Sequence, residues 1–158
     1  NIMKKTSKLS GALTTQNRKT AKLIYDWHTT FLPSVKTTSA HTLRSYKLSL
    51  SLLLRYLQSE RGITPFTLTP ECFSVEVLTQ WQIWLKNKRQ VSATTCNIRM
   101  AAIKNLTKYI GSQMPEYAYI YMAVSEFIKP IRKVKPIVHA MTRDAVRLFL
   151  QYLIQLQK

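Results

Sequence analysis

The chain has 158 residues, 46% of them hydrophobic, and carries 24 Lys and Arg against 7 Asp and Glu for a formal net charge of +17. That length holds one domain, or one domain and part of another, and the apolar content excludes a wholly disordered chain. The uninterrupted apolar runs are far shorter than the roughly 20 residues that span a bilayer, and no apolar signal core opens the chain.

The positive charge is unevenly placed. No acid occurs between Asp26 and Glu60, between Glu76 and Glu116, or between Glu126 and Asp144. Three acid-free stretches rich in Lys and Arg give a continuous positive field, which attracts polyanions and releases counterions from nucleic acid. An acidic lipid surface would call instead for one strongly amphipathic helix, so no membrane partner is expected. Cys72 and Cys96 stand alone, without CxxC spacing or a nearby His pair. They read as buried thiols in a reducing cytosol, and neither a metal nor another cofactor is expected.

In chain order, residues 1–20 are polar and basic with no sustained period, as in a flexible arm. From Ala21 to about Leu32, Leu23, Ile24, Trp27 and Phe31 recur at helical spacing, and Pro33 closes the element. The longest helix spans Thr38 to Gly62. Leu43, Tyr46, Leu50, Leu53, Leu54 and Leu57 crowd one arc, Arg44, Lys47, Ser51 and Arg55 form a basic stripe, and Leu48 and Leu52 lie on a third side. A helix apolar on two sides needs contact from two directions, which makes it central. Ser39 is its expected N-cap and Gly62 its stop.

Pro65 and Pro70 punctuate the loop that follows. A third helix runs from Ser74 to Arg89 with Val77, Leu78, Trp81, Trp84 and Leu85 inward. A fourth runs from Ala93 to Ile110 after the Ser92 cap, with Ile98, Ala102, Leu106, Tyr109 and Ile110 inward and Gly111 as its stop. Asn97, Ala101, Lys104 and Lys108 line another side, while Arg99 falls within the apolar arc and either reaches outward or snorkels. A fifth helix runs from Pro115 to about Ile128, with Tyr117, Tyr121, Val124 and Ile128 on one face. Residues 129–143 are broken by Pro130 and Pro136 and are densely basic, as in an interdomain linker assigned to residues 131–141. A last helix, residues 142–158, shows Val146, Phe149, Leu150 and Leu153 on one side with no chain left to cover them, as expected of the start of a truncated second domain.

Laid out this way, the chain resembles the N-terminal half of tyrosine recombinases, the phage-integrase family. The resemblance rests on TSAHTLRSYKLSLSLLLRYL in the second helix, VSATTCNIRMAAIKNLTKYI in the fourth, and KPIVHAMTRDAVRLFL beyond the linker. It implies an all-α, SAM-like core-binding bundle of four to five helices over residues 21–130, forming half of a clamp around double-stranded DNA. The second helix would then face DNA with Thr38, His41, Thr42, Arg44, Lys47 and Arg55. The fourth would do so with Ser92, Thr94, Thr95, Asn97, Arg99 and Lys104, and the linker would add Arg132, Lys133 and Lys135.

The family's chemistry is strand cleavage by a tyrosine, with arginines stabilising the developing charge. None of its catalytic motifs stands here in context. His41 and Arg44 spell His-x-x-Arg, but at the start of the second helix, where DNA contact is expected. No catalytic residue is therefore assigned. The implied partners are a recombination core site and other recombinase protomers, and the implied setting is the cytoplasm of a cell hosting a mobile element. Two other readings stay open: a stand-alone helical DNA-binding or nucleoid protein, and a basic helical adaptor for an acidic protein.

Overall fold

The computed structural model describes residues 15–35, 38–132 and 143–156. The described residues form helices and short turns without a strand, so the fold is all-α. Helix α1 covers 15–26 and continues through a π turn at Trp27–Phe31 into Leu32–Ser34. It is followed by α2 (Ala40–Arg61), α3 (Val75–Asn87), α4 (Ala93–Gln113), α5 (Ala118–Phe127) and α6 (Arg143–Leu156).

Local chemistry sets these boundaries. Ser39, Ser74 and Ser92 each cap a helix by accepting a backbone N–H three residues on, from Thr42, Val77 and Thr95. Gly62 ends α2 in the left-handed conformation at φ 64°, and Ile63 N–H reaches back to the Leu57 carbonyl. Pro65 and Pro70 each open a single 3-10 turn. Gln90 stands at φ 51° in the short turn between α3 and α4.

One core joins the first five helices. Trp27, Leu53, Leu57, Phe73, Leu78, Trp81, Leu85, Ile103, Leu106 and Val124 are fully enclosed. α4 is the axis of the bundle and has its largest interfaces with α5 and α2. The expected inward faces of α2 and α3 are found, with Leu43, Tyr46, Leu54 and Trp84 half-buried at their margins.

Several expectations are corrected. The arm expected through residue 20 is already helical at 15, and it buries Asn17 and Thr20. Gln16 Nε2 donates to the Tyr117 hydroxyl at 2.8 Å, which ties this first turn to the start of α5. The expected arm before residue 15 lies outside the described residues. Phe31, Leu48 and Ile98 are exposed, whereas Cys96, Met100 and Ile103 provide the buried face of α4. The Pro115 end of the fifth helix is a 3-10 turn, and the α-helix proper begins at Ala118. In α6 the expectation holds, and Val146, Phe149, Leu150 and Leu153 are all exposed.

Gly111 does not stop α4. The helix continues to Gln113, and a Cβ at Gly111 would stand 3.0 Å from Ala118 Cα. The missing side chain lets the start of α5 lie directly on α4. Gly111→Val is therefore expected to cost about 1–3 kcal/mol through overpacking against backbone, read by urea unfolding. A neutral substitution would show that this junction is loose.

Candidate nucleic-acid interface

α2 and α4 begin alike, with Ser39-Ala40-His41-Thr42 and Ser92-Ala93-Thr94-Thr95. In each, the serine hydroxyl caps the helix and also pairs with the following threonine hydroxyl, at 3.0 Å for Ser39–Thr42 and 3.1 Å for Ser92–Thr95. Each of these helix starts carries the positive end of a helix dipole and no acid in its first turn.

Between the two helices lies a groove of about 310 Å³ lined by His41, Arg44, Ser45, Leu48, Thr95, Ile98 and Arg99. Four residues expected at a DNA surface, His41, Arg44, Thr95 and Arg99, are thus brought together from helices about a third of the chain apart. His41 and Arg44 are exposed, and Thr95 is half-buried.

Arg99 is the most constrained of the four. One guanidinium nitrogen reaches the Ser45 carbonyl, the Ser45 hydroxyl and the Ser49 hydroxyl, each at a long 3.5 Å. Its Nε is buried with no acceptor. Burial pushes its pKa down from the ordinary arginine value. The side chain lies along the groove wall, bracing α4 against α2, with donor capacity left over.

The sequence missed the apolar part of this groove. Leu48 and Ile98 are 47% and 46% exposed, and they stand among the basic and hydroxyl groups instead of in the core.

The other expected site residues distribute as follows. Lys47 and Arg55 are exposed on the same edge of α2 as Arg44. Arg55 also lines a shallow groove with Ser51, Leu54, Gln58, Ile63 and Pro65. Thr38 and Thr42 open onto a different cavity, of about 520 Å³, beside Phe31, Tyr46, Lys108 and Tyr109. Thr94 is half-buried in the first turn of α4. Arg132 is exposed, and Lys133 and Lys135 lie outside the described residues.

Asn97 and Lys104 were expected to share a surface with Arg44, and the structure corrects this. Asn97 Oδ1 accepts from Ile131 N–H at 2.7 Å, and its Nδ2 donates to the Ile131 carbonyl at 2.9 Å. Lys104 Nζ donates to the Ile128 carbonyl. Burial, and then the nearby Lys129 charge, lower the Lys104 pKa. Both side chains face the segment after α5, on the flank of α4 away from the groove.

Among the described residues no helix is long and apolar enough to cross a membrane. Comparison with curated proteins and with solved structures gives no significant match. Residues 26–113, more than half of the chain, match the family described as phage integrase, N-terminal SAM-like domain. That span runs from the end of α1 to the last residue of α4 and contains both walls of the groove. With its all-α bundle and paired helix starts, the chain belongs to the family of phage integrase N-terminal SAM-like domains.

Proposed function

We propose that the chain is the core-binding half of a tyrosine recombinase and grips duplex DNA with the exposed edges of α2 and α4. Membership in the family supports a role in DNA recombination by such enzymes. The observation that carries this reading is the groove in which His41, Arg44, Thr95 and Arg99 converge. Arg44, Lys47 and Arg55 extend the basic edge along α2. Cationic side chains and the two helix starts suit phosphates, which fix position without reading sequence. Arg44, near the start of its helix, is the residue assigned to a base edge, and Leu48 and Ile98 supply apolar surface of the kind that meets a thymine methyl. Family membership favours this reading over a stand-alone DNA-binding protein or an adaptor for acidic proteins.

Mobility-shift titrations of a short duplex over a salt series test it. Neutralising several phosphates makes log affinity fall linearly with log salt, by about 0.9 per phosphate on B-form DNA. A steep slope is expected. A flat one would rule out DNA as the partner of this surface.

A further inference from the structure

The segment after α5 crosses α4 at two fixed points. Lys104 holds the Ile128 carbonyl, and Asn97 holds both backbone groups of Ile131. Between them the chain is not helical, and Ile128 has extended backbone at φ −108°, ψ 101°. Three residues of extended chain cover about 10 Å. The seven residues of α4 from Lys104 back to Asn97 also rise about 10 Å. The strap therefore runs antiparallel to α4, along the flank away from the groove and toward the N-terminal end of the helix.

The Asn97 contact is specific in its chemistry. Pro130 has no N–H to offer, so the Ile131 peptide groups are the next available pair, and a single amide satisfies both. Ile128 is buried and Ile131 half-buried, which seats the strap against the core. Arg132, the next residue, is exposed.

We infer that Asn97 is a positioning residue for DNA binding: by clamping Ile131 it holds the Arg132 guanidinium near the N-terminal end of α4, on the flank away from the groove, where it neutralises a further phosphate of the duplex. This rests on the DNA-binding reading above and adds to it a contact that Asn97 makes only through its neighbour. Lys104 anchors the upstream end of the same strap.

The test uses the full chain, a short duplex over a salt series, and hydrogen exchange at the Ile131 amide. Asn97→Ala should speed Ile131 exchange by about tenfold or more while the α2 amides stay protected. It should also weaken duplex binding several-fold and lower the salt slope by about one. Arg132→Ala should give the same loss of affinity and slope with Ile131 exchange still slow. Because both act on one contact, the double variant should bind no worse than Arg132→Ala alone.

Unchanged Ile131 exchange in Asn97→Ala would overturn the clamp. Faster exchange with wild-type affinity and slope, or additive losses in the double variant, would reduce Asn97 to a purely structural role and overturn the proposal. Failure of the unsubstituted chain to bind duplex would overturn the underlying reading instead, and is seen separately.

Discussion

Trp27→Ala is expected to lower the unfolding free energy by about 3–5 kcal/mol, the range for truncating a large enclosed aromatic. Trp27 has no exposed surface and stacks on Tyr46 of α2 with ring centroids 5.8 Å apart and planes within 9°. Its Nε1 donates to Asn105 Oδ1 of α4 at 2.9 Å. One side chain thus fastens α1 to both groove-forming helices. For a chain of this size the melting temperature should fall by about 10 °C, at roughly 2–4 °C per kcal/mol. Trp27→Phe keeps most of the apolar surface and removes the donor, so about 1–2 kcal/mol is expected. Circular-dichroism melts of the two variants read the difference. A loss below about 1 kcal/mol for Trp27→Ala would mean that α1 is not part of the cooperative core.

The largest functional effect is expected from stripping the basic edge of α2. Arg44→Ala, Lys47→Ala and Arg55→Ala together should reduce the salt slope by about 1.8 if Lys47 and Arg55 each contact one phosphate, at about 0.9 apiece, and the loss of Arg44 should also remove a base contact worth about 1–3 kcal/mol. At about 0.1 M salt each phosphate contact is worth somewhat under a decade, so affinity should fall a hundredfold or more. Helical content should stay the same, because all three side chains are exposed. Arg61→Ala with Lys88→Ala removes charge from a cavity that also holds Glu60 and Glu76, away from the groove. That pair should change the slope far less per charge. Equal effects per charge at both places would mean that the protein attracts DNA through net charge without a defined face.

What could be seen in the sequence was local. The Ser39 and Ser92 caps, the Gly62 stop and the buried stripes of α2 and α3 follow from spacing and capping chemistry alone. Glycine showed the limit of that reasoning. Gly62 permits a left-handed backbone with open space around it, whereas Gly111 permits close approach of Ala118. Both uses need a missing side chain, so the residue type does not separate a stop from a contact.

The candidate site was half legible for a related reason. Arg44 and His41 stand on the exposed side of a strongly patterned helix. On α4 the apolar residues are spread around the axis, and the choice between Ile98 and its neighbours Cys96 and Met100 depends on where α2, α3 and α5 lie. The roles of Asn97 and Lys104 are set by backbone groups 34 and 24 residues away. No window along the sequence contains those partners.

Phe31 was misplaced by the π turn. Asn17, Thr20, Ile24 and Trp27 follow one another inward at helical spacing, after which the buried position is Leu32, five residues on, and Phe31 is turned out. A π turn holds one residue more than the α-helical path over the same contacts. Chain length and side-chain phase are therefore uncoupled between Trp27 and Leu32. A homologue shorter by one residue there can keep both anchors by winding as ordinary α-helix. When related chains are aligned, a single-residue gap at His28–Phe31 should be accepted without cost, and the residues equivalent to Asn17 and Trp27 should be matched by their distance from that gap instead of from the start of α2.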